Sequence, residues 1–309
     1  MGAALLQSPS KTFYAALSIG AALLTIALKF TAYAVTDSVG LLSDATESVV
    51  NLLAALVALW ALVVAARPPD DDHAFGHSKA EYFSSGFEGA LIVLAALSIA
   101  LAAWPRLLNP QPIEEVGLGL ALSLAASAVN GVVAWVLLRA GRRLRSITLE
   151  ADARHLLTDV WTTGGVLLGI GLVQLTGWLV LDPLIAFLVA AQIIWAGVRL
   201  IRDTGYGLLD QVLPAEDRAA ISAVLAVHEK EGIVFHAIRT RAAGPRRFVS
   251  LHVLVPGHWS VTSGHALCDE IELAISAALP ECHVMTHLEP LEDPIAWQDQ
   301  ELDRIREHG

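Results

Sequence analysis

The chain has 309 residues, of which 55% are hydrophobic, and a formal net charge of −11 at pH 7. Soluble domains contain roughly 45–50% apolar residues even when glycine is counted, so this excess indicates a membrane protein. The acidic balance argues against a nucleic-acid partner and suits the attraction of cations.

Apolar runs follow one another along the first two thirds of the chain. Each run approaches the ~20 residues that a bilayer core requires, so the sequence predicts a six-helix transmembrane bundle in residues 1–210. No small-residue cleavage site follows the first run, which we therefore expect to remain as a helix. The runs are Tyr14–Val35, Leu41–Ala66, Phe87–Trp104, Val116–Leu138, Leu156–Leu175 and Trp178–Val198.

Basic residues concentrate on one side of the predicted membrane. The opposite side has little beyond Lys29 and Arg106, so the positive-inside rule predicts that both termini are cytoplasmic. The cytoplasmic basic residues would be Lys11, Arg67, Lys79, Arg139, Arg142, Arg143, Arg145, Arg199 and Arg202.

Two pairs of polar residues stand four positions apart within apolar runs: Glu47 with Asn51, and His155 with Asp159. Such pairs share a helix face, about 6 Å apart along the axis. Ionisable groups at membrane depth cost roughly 2.5–3.5 kcal/mol, so they usually face the bundle interior and serve a function. An imidazole with carboxylate and amide oxygens suits zinc, iron(II), cobalt or nickel; the alternative is hydrogen bonding between helices. Asp44, one turn before Glu47, would hydrogen-bond to these ligands, relay ions or bind the metal directly.

A further candidate site follows the second run. Asp70, His73 and His77 could converge on one ion, because loops bend freely. The alternative is a solvated cytoplasmic turn with an acidic helix cap.

From Gln211 the composition becomes that of a soluble domain. The predicted order helix, strand, strand, helix, strand indicates an α+β domain in residues 211–295, with helices on one sheet face, before a polar tail in residues 296–309. A core this thin is expected to gain from oligomerisation. Cys268 and Cys282 lie in a reducing compartment and are expected to be free thiols. The predicted elements are Ala215–Lys230, Ile233–Thr240, Phe248–Val255, Ser260–Ala278 and His283–Leu288.

The histidines of this domain exceed what packing requires. Any one histidine is more often a surface residue, but the set is typical of metal binding. Its members are His236, His252, His265, His283 and His287, with Glu289 nearby.

Three segments carry a family resemblance. Residues 38–51 read SVGLLSDATESVVN, residues 73–81 read HAFGHSKAE, and residues 150–159 read EADARHLLTD. On these motifs the chain resembles the cation diffusion facilitator family of metal/proton antiporters along nearly its whole length. The resemblance implies a transport site at Glu47, Asn51, His155 and Asp159. In some members a loop site matches Asp70, His73 and His77. Much of the family has His or Asp where this chain has Glu47, and Asp where it has Asn51.

The resemblance also implies a homodimer joined through a ferredoxin-like cytoplasmic domain. Lys79 and Asp210 match a charged pair that joins the membrane and cytoplasmic domains near the dimer axis. Positions that bind metal in zinc- and iron-handling members are occupied here by His236, His252, His265, His287 and Glu289.

These observations predict an integral protein of the bacterial inner membrane that exports Zn, Fe, Co or Ni. Because Glu47, His155 and Asp159 bind metal only when deprotonated, protons would compete with metal and drive exchange. Metal ions would be substrate and tail-domain ligand, with no catalytic cofactor; lipid, protons and a second copy would be the other partners. The alternative is a membrane-anchored metal sensor. An enzyme is disfavoured, since the sequence has no His-Glu-x-x-His motif, nucleophile elbow or Walker loop.

Overall fold

The computed structural model describes residues 10–36, 39–109, 117–229, 232–298 and 300. Within its helices, the side chains at 32, 35–36, 39–47, 50, 118–120, 166–167, 170 and 174 are outside the description. The chain forms two compact units, Met1–Tyr206 and Gly207–Gly309.

The first unit consists of long helices, as the apolar runs predicted. Several helices begin before their apolar run, because a polar first turn can be helical when its backbone groups are capped. Ser146, for example, caps the fifth helix by accepting a hydrogen bond from the backbone N–H of Leu149 at 3.4 Å. The helices are α1 (Lys11–Thr36), α2 (Val39–Ala65), α3 (Ala80–Leu108), α4 (Gly117–Leu144), α5 (Ile147–Thr176) and α6 (Leu181–Leu208).

Among the described residues, four segments are long and apolar enough to cross a membrane, and they lie in α1, α3, α4 and α6. In α2 only the shorter stretch Asn51–Ala65 is described as apolar helix. Helix α5 carries Glu150, Asp152, Arg154 and Asp159, which lowers its hydropathy. Large apolar side chains point outward from the bundle, as expected for helices surrounded by lipid; they include Trp60, Leu101, Trp135, Leu188 and Trp195.

The second unit is the predicted α+β domain. Strand β2 alternates as the sequence indicated, with Val249, Leu251 and Val253 buried against Ile271 and Ile275 of the second helix. The sheet order is β1-β2-β3, with β1 and β2 antiparallel and β2 and β3 parallel. The elements are α7 (Ala215–His228), β1 (Val234–Ala243), β2 (Arg246–Val255), α8 (Val261–Ala278) and β3 (Cys282–Pro290).

Part of the segment predicted to be a polar tail is ordered against this domain. Pro294–Trp297 forms a 3-10 turn in which Ala296 is buried. The Trp297 indole N–H donates to the carbonyl oxygen of Leu291 at 3.0 Å. This segment therefore belongs to the domain, because Ala296 is buried and the Trp297 ring is hydrogen-bonded to Leu291.

The second unit contains a buried ion pair. The guanidinium of Arg247 donates to both carboxylate oxygens of Asp217, at 2.7 and 3.4 Å. Burial and the charge of Asp217 raise the pKa of the Cys282 thiol to about 11. Cys282 is therefore protonated at neutral pH and is a poor metal ligand there.

Helices α3 and α6 approach closely through two glycines. A Cβ added at Gly197 would lie 2.8 Å from Val93 Cγ2, 3.0 Å from Ile92 Cγ2 and 3.2 Å from the carbonyl oxygen of Gly89. Because these glycines have no side chain, α3 and α6 can approach each other this closely.

We expect Gly197→Ala to destabilise the bundle by about 1–3 kcal/mol, because the added methyl overpacks this contact. Thermal unfolding of the detergent-solubilised protein measures the effect. The matched control is Gly205→Ala in the same helix, where an added Cβ meets nothing within 4 Å. Equal melting temperatures for the two variants would contradict the close-packing explanation.

Candidate metal-transport site

A buried polar network links helices α2 and α5 inside the bundle. His155 donates from Nε2 to Asn51 Oδ1 at 2.7 Å, and Asn51 Nδ2 donates to Asp159 Oδ2 at 2.8 Å. All three residues are at most 7% exposed. His155 Nδ1 is buried and has no hydrogen-bond partner among the described residues, so its lone pair is available to a metal ion. The structure thus brings together three of the four residues predicted from spacing.

The side chains of Glu47 and Asp44 are outside the described part of the chain. Their backbone belongs to α2, and Glu47 stands one turn before Asn51 in that helix. Their predicted roles therefore stay predictions.

Two residues that the spacing argument missed join the network. Asn130 of α4 donates from Nδ2 to Asp159 Oδ2 at 2.8 Å. Lys29 of α1 has its Nζ 3.9 Å from the same oxygen and is only 5% exposed. Asn130 has no polar residue four positions away, and Lys29 has only Thr25 and Tyr33, which are poor metal ligands; a charged or amide side chain within an apolar run was the available signal.

Lys29 changes the charge of this region. The sequence predicted two negative charges, from Glu47 and Asp159, which would just neutralise a divalent ion. A lysine ammonium beside Asp159 opposes part of that negative charge, because opposite charges about 4 Å apart interact strongly when buried. A metal ion that binds Asp159 must therefore compete with Lys29.

The loop residues Asp70, His73 and His77 also come together. One carboxylate oxygen of Asp70 lies 3.1 Å from His73 Nδ1 and the other lies 3.2 Å from His77 Nε2. Desolvation acts to raise the pKa of Asp70, but hydrogen bonds from His73 and the charges of both histidines outweigh it and lower this pKa. One ligand atom from each residue lies within 4.8 Å of the others, a spacing that could hold a metal ion.

A third cluster lies across the sheet of the second unit. His236 of β1 pairs with His252 of β2, which pairs in turn with His287 of β3. Glu289 Oε2 lies 3.1 Å from both His236 Nε2 and His252 Nδ1. This buried carboxylate with two half-buried imidazoles could hold a metal ion.

The remaining predicted tail residues are placed differently. His287 is largely exposed, with Nε2 3.4 Å from Glu289 Oε1 at the edge of the cluster. His265 is exposed on α8 and does not belong to the group formed by His236, His252 and Glu289. The Trp297 ring packs against His236 with centroids 5.6 Å apart, a contact that the sequence did not reveal.

The predicted charge pair of Lys79 and Asp210 would join the two units and stays a prediction. Within the second unit, Asp210 Oδ1 accepts a hydrogen bond from Arg241 Nη1 at 3.3 Å.

Comparisons with known proteins agree with this architecture. Residues 15–209 match the cation efflux transmembrane domain, and residues 213–291 match the cytoplasmic domain of cation efflux proteins, which is a dimerisation domain. An uncharacterised transporter of Synechocystis, sll1263, is 56% identical over 285 residues, covering 92% of each chain. The cation-efflux pump FieF of Shewanella oneidensis is 31% identical over 279 residues, covering 89% of this chain and 92% of its own.

Among solved structures, one of the zinc transporter CzrB is 38% identical and covers 25% of this chain and 96% of its own. Its TM-score of 0.24 is too low to support an inference about fold. The match to the transmembrane family domain covers more than half of the 309 residues, and the FieF relative is aligned over most of its length. The chain therefore belongs to the cation efflux family of membrane transporters, the cation diffusion facilitators.

Proposed function

We propose that this divalent metal cation efflux protein binds its cargo between α2 and α5 and exchanges it for protons. The observation that carries the proposal is the buried contact of His155, Asn51 and Asp159, which joins two helices at membrane depth. A structural hydrogen-bond network would need no imidazole with an unpartnered buried nitrogen. Metal chemistry explains that nitrogen, because a neutral imidazole binds a divalent ion through its lone pair.

Proton exchange follows from the ligand types. Asp159, His155 and the predicted ligand Glu47 coordinate metal only when deprotonated, so proton binding and metal binding oppose each other. The outer side of a bacterial inner membrane is rich in protons and would favour release of metal. We place both termini in the cytoplasm, in keeping with the distribution of basic residues.

The donor set limits the cargo to borderline divalent metals. Nitrogen and oxygen ligands without thiolate suit zinc, iron(II), cobalt or nickel. The loop cluster of Asp70, His73 and His77 and the tail cluster around Glu289 would regulate transport rather than carry ions through the membrane. They lie in a loop and in the domain that follows the last span.

Replacement of Asp159 by asparagine should abolish metal transport and leave the protein folded and dimeric. The variant removes a charged ligand but retains the shape of the side chain. Metal flux into proteoliposomes, measured with zinc, iron(II), cobalt and nickel, tests the prediction, and size-exclusion chromatography checks the dimer. Glu150→Gln is the control, because Glu150 is on the same helix and pairs with Arg154 at 3.3 Å. Normal flux by Asp159→Asn would refute the assigned transport site.

Replacement of Lys29 by methionine should tighten metal binding by at least about tenfold. The lysine charge repels a divalent ion bound to Asp159, and about 1.4 kcal/mol of lost repulsion is sufficient for a tenfold change. Calorimetric titration with zinc measures the affinity. Lys11→Met is the control, since Lys11 lies at the start of the same helix and pairs with Glu81. Equal affinities in wild type and Lys29→Met would show that Lys29 does not act on the bound ion.

In the full-length dimer, replacement of His252 by alanine should remove one bound metal ion per protomer, the ion held by the cytoplasmic cluster around Glu289. Basal transport should continue. His252 contacts Glu289 directly and cannot line a membrane pathway. Metal content after equilibrium dialysis and flux in proteoliposomes provide the two measurements. His265→Ala is the matched control and should retain the metal, because His265 is exposed outside the cluster. Complete loss of flux in a folded His252→Ala dimer would contradict a regulatory role.

A further inference from the structure

The bundle contains a second buried acidic pair that the proposed metal site does not use. Glu88 of α3 and Asp152 of α5 are 0% and 2% exposed. Asp152 stands three residues before His155, about one helical turn away along α5. Helices α3 and α5 pack against each other, so both carboxylates lie in the interior of the same bundle.

In each carboxylate, one oxygen accepts a hydrogen bond from a serine and the other oxygen does not. Ser18 of α1 donates to Asp152 Oδ1 at 3.0 Å, and Ser84 donates to Glu88 Oε1 at 3.4 Å. Asp152 Oδ2 and Glu88 Oε2 are buried and have no hydrogen-bond partner among the described residues. Polar atoms buried in this way are costly, so the two oxygens point to something that binds between the helices.

The charged groups on the surrounding helices are engaged elsewhere. Lys11 of α1 pairs with Glu81 of α3, and Lys29 of α1 lies beside Asp159. On α5, Glu150 pairs with Arg154. On α6, Arg199 and Asp203 are paired and exposed. The acidic side chains near the start of α2 are outside the described part of the chain.

Two ionised carboxylates in this environment would carry two uncompensated charges at membrane depth. Each carboxyl group avoids this cost by holding a proton, because burial and a like charge in the same bundle both disfavour ionisation. A divalent metal usually takes four or more ligands, whereas the described residues leave two unpartnered carboxylate oxygens here. One unpartnered oxygen on each carboxyl group is enough to carry a proton.

We propose that Glu88 and Asp152 form a proton-binding site of the transporter, separate from the metal site at His155 and Asp159. The inference deepens the proposed metal/proton exchange and rests on it. The chemistry is reversible: a carboxylate takes up one proton from water on one side of the membrane and returns it to water on the other. Ser18 and Ser84 each hold one oxygen of a carboxyl group, which leaves the other oxygen of that group to carry a proton.

The test uses the full-length protein with Glu88→Gln and Asp152→Asn combined, which mimics permanent protonation with little change of shape. Zinc is the probe. Zinc affinity should change less than threefold, while the number of protons moved per zinc, measured with a pH-sensitive dye in proteoliposomes, should fall by at least half. The infrared C=O band of a protonated carboxyl should be present in wild type, decrease as pH rises, and be lost in the double variant. Glu150→Gln is the matched control and should retain both signals.

Each alternative outcome has a definite meaning. An unchanged proton-to-zinc ratio and an unchanged infrared band in the double variant would overturn the proposal. Loss of one bound zinc ion per protomer would also overturn it, by identifying a metal site instead. If wild-type protein moves zinc without protons, the exchange proposed for the protein fails. The infrared band and its pH dependence then still decide whether the pair binds a proton.

Discussion

The negative charge of Asp159 within the membrane is the constraint on which the bundle depends. A carboxylate at this depth must be compensated or neutralised. Here Lys29, Asn51 and Asn130 lie around one of its oxygens, and each comes from a different helix. Helices α1, α2, α4 and α5 therefore all contribute a residue at this one carboxylate oxygen. The small apolar residues between them, such as Ala134 and Ala153, allow the close approach that these hydrogen bonds require.

The same network explains why ion binding can be coupled to helix movement. Asn51 bridges His155 and Asp159, so an ion that takes a lone pair of Asp159 Oδ2 must replace the hydrogen bond from Asn51 of α2, whereas His155 can bind through Nδ1 and keep its bond to Asn51. A ligand shifts a conformational equilibrium only by its different affinity for the two states. Contacts that change partners when metal enters provide such a difference. Lys29 adds to it, because its attraction to Asp159 is weakened when a divalent cation binds there.

The sequence predicted those parts of the structure that have a regular spacing. Four-residue spacing identified Asn51, His155 and Asp159, and strand alternation identified the buried face of β2. Lys29 was interpreted as a residue of the outer side, although it is buried within α1, which continues to Thr36. Lys29 has only Thr25 and Tyr33 at four-residue spacing, neither of which suggests a metal site, so tertiary contacts are needed to reveal its role. Spacing also did not distinguish His252 from the exposed His265, because a cluster across strands depends on register.

Helix α5 carries a row of buried polar residues along the inside of the bundle. At its start, Ser146 donates to Glu81, which also binds Lys11. The next layers are formed around Asp152 and then Asp159, so buried polar groups extend from Ser146 to Asp159, about 20 Å along the helix axis. Such a row costs free energy at every layer and lowers the hydropathy of the helix. Because apolar side chains would stabilise the same helix at less cost, the row supports our proposal that this face binds cations.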